Sequence, residues 1–346
     1  MSPLVSVVLP AYNAEVFLAD AVESILDQTF RDFELLVIDD GSTDTTQAIA
    51  NRYTHDTRVR VLTHEQNRGL IAALNTGCQA AQGTYIAIMH ADDISLPQRL
   101  AQQVAYMEAH AEIGVLGTCA DNIDERGQSL GITHMLKRPG VIGWTVMLSC
   151  PHIHPTVMFR RKTIAPLGFY HPGNLLVEDY DLWMRAARVT QLSNLPEVLV
   201  HYRVWVGSAS GSQQRKLDDN ALRVVQRGVS AFLGQDISLE LASWLRGIAD
   251  SRRGARPQTL DEIQETAHVL EQMLATYLTT TDLSASDRRW VQGDAAIKLL
   301  VLARLARRHS VAVSVQLFTR ALYLSPTVLF QAAAILWRKR SAESGT

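Results

Sequence analysis

The sequence predicts an α/β protein in which a mostly parallel central sheet is flanked by helices and followed by a helical C-terminal region. The first observation is that apolar runs of strand length alternate with amphipathic runs of helix length over about the first 120 residues. The second is that acidic clusters follow two of the apolar runs, where open α/β sheets form their ligand crevice. The third is that the pattern from residue 216 onward is almost entirely helical. This order predicts right-handed strand–helix–strand crossovers and a sheet covered by helices.

The elements follow in order along the N-terminal part of the chain. Apolar runs predict strands at residues 4–9, 33–38, 59–63, 84–89 and 113–120. Apolar residues at helical spacing predict helices at residues 15–30, 43–53, 69–82 and 97–109. Pro10 is expected to end the first strand, and Ser42 or Thr43 to cap the second helix. After a glycine- and proline-punctuated stretch at 121–177, we expect a helix at 180–189 and a short strand at 197–203.

Composition limits the class of protein. A chain of 346 residues favours two domains or one domain with a large appendage, and a formal net charge of −2 argues against a nucleic-acid partner. Three cysteines without CxxC spacing indicate neither a disulfide framework nor a zinc site. The N-terminus has no basic segment and only a short apolar run, which is not typical of a signal peptide. We therefore expect a reduced, cytoplasmic protein.

The acidic clusters are the most informative local feature. Asp39 and Asp40 follow the second predicted strand, and Asp92 and Asp93 follow the fourth. Adjacent carboxylates at a strand end repel each other unless a cation neutralises them. The sequence therefore predicts a divalent metal that binds a phosphate-bearing substrate, which points to an enzyme.

Several short motifs occur along residues 4–212. They are PAYN at 10–13, DDGSTD at 39–44, NRG at 67–69 with NTG at 75–77, ADD at 91–93, HPTVMFRR at 154–161, EDYDLW at 178–183 and YR at 202–203. In this order and spacing they resemble the family 2 glycosyltransferases, in particular the bacterial envelope-polysaccharide members with the GT-A fold. The resemblance implies a nucleotide-sugar-binding catalytic domain at 1–212 and a helical region at 213–346.

The resemblance also implies a donor site. Its nucleotide-sugar-binding residues would be Pro10, Tyr12, Asn13, Asp39, Asn67, Asp92 and Arg203, with Asp93 as the ligand of Mn²⁺ or Mg²⁺. Tyr12 offers a flat face on which a base could stack, and Asp39 could accept a hydrogen bond from the uracil imide. For residues 10–13, and for Asp40, Ser42 and Asp44, the alternative is a role in turns and helix caps.

By the same resemblance, Asp179 is the catalytic base. Inverting transfer needs one carboxylate that takes the proton from the attacking acceptor hydroxyl. Glu178, His154 and Trp183 are assigned to the acceptor side. The alternatives are that Glu178 and Asp179 complement a helix dipole, and that Trp183 belongs to the core.

Two positions depart from the family pattern. Many relatives have an acid where this chain has His90, which could be a further metal or phosphate contact or a core or rim histidine. Many also have a histidine where this chain has Trp205. Without it, we expect Asp93, Arg203 or the loop at 207–212 to take over its contacts.

The C-terminal region combines basic and apolar residues. Residues 295–340 contain eight lysines and arginines and no acids: Lys298, Arg304, Arg307, Arg308, Arg320, Arg338, Lys339 and Arg340. The 17-residue uncharged stretch at 321–337 is too short and too polar to predict a transmembrane helix. Two interpretations stay open: a basic amphipathic surface on an anionic membrane, or helices packed within the fold with a solvated basic face.

Together these features predict an inverting, metal-dependent glycosyltransferase with a nucleotide-sugar donor, for which UDP is the favoured nucleotide. A saccharide or a lipid-linked glycan is the expected acceptor, at the cytoplasmic face of the inner membrane. A catalytically silent binding scaffold and a nucleotidyltransferase are the alternatives. The first would not need Asp93 and Asp179 together, and the second would need a glycine-rich phosphate loop near the N-terminus that this chain lacks.

Overall fold

A computed structural model of the protein describes residues 2–174, 176–205, 214–250 and 252–329. The strands in this part of the chain are β1 (Val5–Ala11), β2 (Phe33–Asp39), β3 (Val59–Thr63), β4 (Tyr85–Ile88), β5 (Ile94–Ser95), β6 (Ile113–Ile123), β7 (Ser129–Thr133), β8 (Met158–Arg160) and β9 (Gln191–Arg203). They form one sheet in the order β3-β2-β1-β4-β8-β6-β9-β5, and β7 pairs with β6.

The first half of this sheet is the predicted parallel core. β1 is parallel to both β2 and β4, and β2 is parallel to β3. Every residue of β1, β2 and β4 is buried, which explains why these strands have continuous apolar runs rather than alternating patterns. The predicted α/β fold with a parallel core is therefore confirmed.

The second half of the sheet is mixed. β8 is antiparallel to β4 and to β6, whereas β9 runs parallel to β6. β9 begins at Gln191, six residues before the predicted start at 197, and it pairs with β5 near its end. This pairing brings the end of β9 beside the loop that follows β4.

Among the described residues up to 205 there are seven α-helices. They are α1 (Leu18–Leu26), α2 (Thr46–Asn51), α3 (Leu70–Ala80), α4 (Arg99–Ala109), α5 (Pro139–Thr145), α6 (Arg161–Ile164) and α7 (Glu178–Ala186). In α1, for example, Leu18, Ala21, Val22 and Ile25 form one buried stripe, as helical spacing predicted.

Three local predictions were wrong. Pro10 does not end the first strand, since β1 continues to Ala11. The strand tolerates this proline because β4 pairs with β1 only as far as Val8, so that the missing N–H of Pro10 breaks no hydrogen bond to β4. Neither Ser42 nor Thr43 caps α2, because Asp44 Oδ1 accepts the hydrogen bond from Thr46 N at 2.9 Å. The helix predicted at 180–189 starts earlier, at Glu178.

The described residues fall into two compact units. The first extends to residue 220 without 147–149, and the second consists of 147–149 and the residues from 221 onward. The predicted boundary at 212/213 lies outside the described residues, as does the loop at 207–212.

The C-terminal helices are α8 (Gln214–Leu233), α9 (Leu239–Ala249), α10 (Leu260–Thr280), α11 (Ala285–Ala306) and α12 (Val311–Leu324). Each of the last four starts at a side-chain N-cap, provided by Ser238, Thr259, Ser284 and Ser310. The sequence predicted a single interruption of this helical run, near 250–258, whereas the structure has several separate helices. Each cap begins a new helix because it satisfies a free backbone N–H there. No helix among the described residues is both long and apolar enough to cross a bilayer.

Candidate active site

The strand order creates a crevice at the carboxyl ends of β1 and β4. From β1 the chain proceeds to β2 and β3 on one side of the sheet and then returns to β4 on the other side. Such a topological switch point is where open α/β sheets bind their ligands. The residues that follow β1, β2 and β4 include Tyr12, Asp40 and His90.

The loops after β1 and β2 are tied together by side chains. Asn13 has a left-handed backbone (φ 48°), and its Oδ1 accepts a hydrogen bond from Thr43 N at 2.9 Å. Its own N–H donates to Ser42 Oγ at 3.0 Å, and Ser42 N donates to Asp39 Oδ1 at 3.1 Å. Asn13 and Ser42 therefore stabilise turns, in line with the alternative that the sequence left open. Tyr12 is 47% exposed, whereas Asp39 is buried.

Asp40 makes different hydrogen bonds from its neighbour Asp39. It accepts hydrogen bonds from Arg68 N at 2.9 Å, from Gly69 N at 2.7 Å and from His64 Nδ1 at 2.6 Å. These bonds fix the turn that leads into α3, and no motif in the sequence had indicated His64. Asn67 in that turn is exposed, and its backbone lies close to Gly41, where a Cβ would come within 2.7 Å of Asn67 N. The predicted donor residue Asn67 thus lies beside the loop that follows Asp39, the last residue of β2.

The acidic pair after β4 is held by the end of β9. Asp93 is 1% exposed, and its Oδ1 accepts a hydrogen bond from Arg203 N at 2.7 Å. Arg203 Nε donates to the carbonyl of Asp92 at 2.8 Å, and Trp205 Nε1 donates to Asp92 Oδ2 at 2.9 Å. Trp205 therefore has a defined contact in the acidic motif.

Arg203 is enclosed by protein groups. Its guanidinium donates to the carbonyls of Asp124 and Glu125 at 2.9 and 3.1 Å and lies 4.2 Å from the ring centre of Phe17. Since these contacts use much of its donor capacity, they favour a role in positioning the acidic motif over a direct bond to a nucleotide.

His90, Asp92 and Asp93 form a potential metal site. Each offers one ligand atom, and these atoms lie within 4.8 Å of one another; only the described residues were searched. Asp93 Oδ2 is buried and has no hydrogen-bond partner among those residues, although burial of an acceptor without a partner is costly. Burial, and then the charge of Asp92, raise the pKa of Asp93 well above its usual value. A divalent cation would supply the missing contact, so these residues fit the predicted Mn²⁺ or Mg²⁺.

Asp179 lies in the first turn of α7. It is half-buried, its Oδ1 accepts a hydrogen bond from Tyr180 N at 2.7 Å, and its Oδ2 accepts one from Cys150 Sγ at 3.6 Å. Burial raises the pKa of Asp179 to about 6. Glu178 is buried more deeply, and burial together with the charge of Asp179 raises its pKa to about 7. A carboxyl group with a pKa near 6 can accept a proton at neutral pH.

Trp183 and His154 were also predicted to lie on the acceptor side. The structure contradicts this for Trp183, and for His154 it stays a prediction. Trp183 is completely buried and packs against His152 and Phe159, so it is a core side chain and the acceptor-side prediction for it is wrong. His154 is also buried, and burial lowers its pKa well below the usual value. Its Nδ1 lies 3.2 Å from His90 Nε2, and its Nε2 lies 2.8 Å from the hydroxyl of Tyr170. Neither contact is visible in the sequence pattern.

This chain is similar in sequence to known glycosyltransferases. The sequence model described as Glycosyl transferase family 2 matches residues 6–169. An uncharacterized glycosyltransferase of Haemophilus influenzae is 30% identical over 251 residues, 67% of this chain and 75% of that protein. The amylovoran biosynthesis glycosyltransferase AmsE of Erwinia amylovora is 32% identical over 202 residues, 57% of this chain and 75% of that protein.

Solved structures show the same fold. The crystal structure of S. aureus TarS 1-349 in complex with UDP-GlcNAc matches with a TM-score of 0.59 at 19% identity, over 94% of this chain and 91% of that one. The mannosyltransferase PcManGT from Pyrobaculum calidifontis, in complex with GDP-Man and Mn²⁺, matches with a TM-score of 0.50 at 17% identity, over 96% and 88% of the two chains.

The fold and the family match define a nucleotide-sugar-dependent glycosyltransferase with a GT-A-like fold. The chain belongs to glycosyltransferase family 2, and the resemblance found in its motifs is confirmed.

Proposed function

We propose that this protein is an inverting, metal-dependent glycosyltransferase that moves a sugar from a UDP-linked donor to a saccharide or a lipid-linked glycan. The observation that carries the proposal concerns the buried Oδ2 of Asp93, which lies beside His90 and Asp92 at the switch point of the sheet and has no hydrogen-bond partner among the described residues. The catalytic domain would comprise residues 1–212, and the helical region residues 213–346.

The donor would lie across the ends of β1, β2 and β4. Tyr12 provides an exposed ring for stacking on the base, and Asp39, an acceptor when ionised, suits the N–H of a uracil imide. The diphosphate would face His90, Asp92 and Asp93. A cation held there supplies positive charge that stabilises the departing nucleoside diphosphate.

Asp179 would act on the acceptor. Its carboxylate takes the proton of the attacking hydroxyl, and the raised pKa matches this task better than that of an ordinary aspartate. Cys150 and the N–H of Tyr180 orient the two carboxylate oxygens. One carboxylate suffices because the leaving group is assisted elsewhere, unlike in glycosidases.

Part of the C-terminal region would rest on the cytoplasmic face of an anionic membrane. Val311, Val315 and Phe318 are exposed on one face of α12, and Arg304, Arg307 and Arg308 are exposed just before it. Not every predicted base contributes: Lys298 is buried and paired with Asp294, and Arg320 pairs with Glu271. Arg338, Lys339 and Arg340 lie outside the described residues.

The test is a screen of the purified protein with UDP- and GDP-sugars and Mn²⁺, with mass-spectrometric detection of the released nucleoside diphosphate. We expect release from at least one UDP-sugar, and loss of both release and Mn²⁺-dependent UDP binding in Asp93→Asn. This variant keeps the oxygen that accepts from Arg203 N. UDP binding by Asp93→Asn equal to that of the native protein would remove the metal assignment, and release from GDP-sugars alone would overturn the choice of UDP.

A further inference from the structure

We propose that His90 is itself a ligand of the divalent cation, through Nδ1, and that His154 and Tyr170 hold its ring in the required orientation. The inference rests on the proposed metal site and adds to it which atoms bind the ion and which ions are preferred. A nitrogen ligand makes the site select Mn²⁺ over Mg²⁺, because imidazole suits transition metals whereas Mg²⁺ prefers oxygen.

The first argument is the distance between His90 and Asp93. His90 Nδ1 lies 3.6 Å from Asp93 Oδ2. This exceeds the length of a hydrogen bond, and Asp93 Oδ2 has no hydrogen-bond partner among the described residues. Two ligand atoms about 2.1 Å from one ion lie about 3.0 to 3.5 Å apart in octahedral or tetrahedral arrangements. The separation is therefore too long for a direct bond and close to that of two atoms sharing one cation.

The second argument is the chain of contacts behind His90. His90 Nε2 lies 3.2 Å from His154 Nδ1, and His154 Nε2 lies 2.8 Å from the Tyr170 hydroxyl. Tyr170 is completely buried and fixed at its backbone, where Asn75 donates to its carbonyl at 2.8 Å and accepts from its N–H at 3.1 Å. This series of side-chain contacts therefore ends at a fixed residue in the protein interior and not in solvent.

The direction of the hydrogen bonds among His90, His154 and Tyr170 determines whether His90 Nδ1 has a free lone pair for a cation. If His90 Nε2–H donates to His154 Nδ1, then His154 Nε2–H donates to the tyrosine oxygen, and His90 Nδ1 keeps its lone pair beside Asp93. In the opposite direction, Nδ1–H would face Asp93 Oδ2 at 3.6 Å, beyond hydrogen-bond length. Metal-bound histidines generally donate their second N–H to a fixed acceptor, and the first arrangement provides one. Binding of a cation therefore selects the first arrangement.

The decisive measurement is pulsed electron paramagnetic resonance of Mn²⁺ bound to the full chain, with and without UDP. A directly bound imidazole couples its ¹⁴N to the Mn²⁺ electron spin, and protein labelled with ¹⁵N-histidine identifies the source. We expect this coupling in the native protein and its loss in His90→Asp. That variant replaces the nitrogen by carboxylate oxygens, so we also expect the ratio of Mn²⁺ to Mg²⁺ affinity, measured by calorimetry, to fall by about 10-fold or more.

Tyr170→Phe tests the supporting chain. It removes the hydroxyl and keeps the ring, so we expect the ¹⁴N coupling to remain and Mn²⁺ affinity to fall by about 10- to 100-fold. Mn²⁺ affinity unchanged in Tyr170→Phe would overturn the role of His154 and Tyr170. Mn²⁺ bound to the native protein without histidine coupling would overturn the ligand assignment alone, even if His90→Asp failed to fold. A native protein that binds no Mn²⁺ would overturn the metal site of the proposed function as well.

Discussion

The indole Nε1 of Trp205 donates a hydrogen bond of 2.9 Å to Oδ2 of Asp92, across 113 positions in the sequence. The ring of Trp205 also packs edge-on against Phe17, with ring centres 5.6 Å apart. The tryptophan that departs from the family pattern therefore orients a carboxylate of the proposed metal site.

Trp205→Phe should weaken Mn²⁺ binding by about 3- to 10-fold, because the aromatic contact with Phe17 remains while the N–H donor to Asp92 is lost. Calorimetric titration of Mn²⁺ in the presence of UDP measures this. Trp144→Phe is the matched control, since Trp144 is a buried core residue and its replacement should lower the melting temperature more than the metal affinity. Equal Mn²⁺ affinity in Trp205→Phe and the native protein would show that this hydrogen bond does not support the site.

Asp39→Asn should change the preferred base. The variant keeps an oxygen for Ser42 N but presents an N–H₂ group in place of the second carboxylate oxygen. That group opposes the N–H of uracil and can donate to the ring nitrogen of cytosine. We expect UDP affinity to fall by about 10-fold or more and the ratio of UDP to CDP affinity to fall with it. An unchanged ratio in competition binding would place the base elsewhere.

Asp179→Asn should lower the rate of transfer by about 100-fold or more while UDP binding persists, since the amide keeps the shape and loses the basicity. Glu178→Gln is the matched control, because it makes the same chemical change one residue earlier in the same helix turn. We expect Glu178→Gln to keep most of its turnover. If both variants were equally active, the acids would serve only the helix dipole.

The rate of transfer should depend on pH through Asp179. Its pKa is raised to about 6, and the base is active when deprotonated, so the rate should fall as pH decreases below about 6 and level off above it. The Cys150 thiol donates to Asp179 and lowers the pKa of that carboxyl. Cys150→Ala should therefore move the acid limb of the pH–rate profile to higher pH. A limb that stays in place or moves to lower pH would contradict this contact.

Membrane attachment should depend on the exposed bases before α12. Replacing Arg307 and Arg308 by glutamate should reduce binding to anionic vesicles by about 30-fold or more, at about 1 kcal/mol for each base lost. Arg223→Glu with Arg289→Glu makes the same charge change at exposed positions of α8 and α11 and should matter less. Flotation at low and high salt measures both, because salt screens the attraction. Native protein that stays unbound at low salt would leave these helices as part of the fold alone.

The sequence alone was sufficient for the class of fold, and it is also the basis on which the site was proposed. The strands from β1 to β4 and the helices between them follow from apolar spacing, which is a local property of the chain. The acids at strand ends were informative because the carboxyl ends of parallel strands share one edge of the sheet. Asp92 and Asp93 were found for that reason, and the family motifs then indicated Asp179.

Other features required the tertiary structure. Asp39 and Asp40 are neighbours in sequence, yet Asp39 accepts a hydrogen bond from Ser42 N whereas Asp40 fixes the turn before α3. Trp183 has a helical position compatible with either the surface or the core, and only packing shows that it is buried.

The contacts of the proposed metal site are the clearest case. His90 meets His154 across 64 positions, and Asp92 meets Trp205 across 113. Each contact depends on strands that pair far apart in sequence: β8 with β4, and β9 with β5 and β6. Local propensity determines that such strands exist, but their order and register are set by burial of the whole sheet. The sequence therefore identified the acids of the site, and the packing of distant strands decided which histidines and aromatic residues surround them.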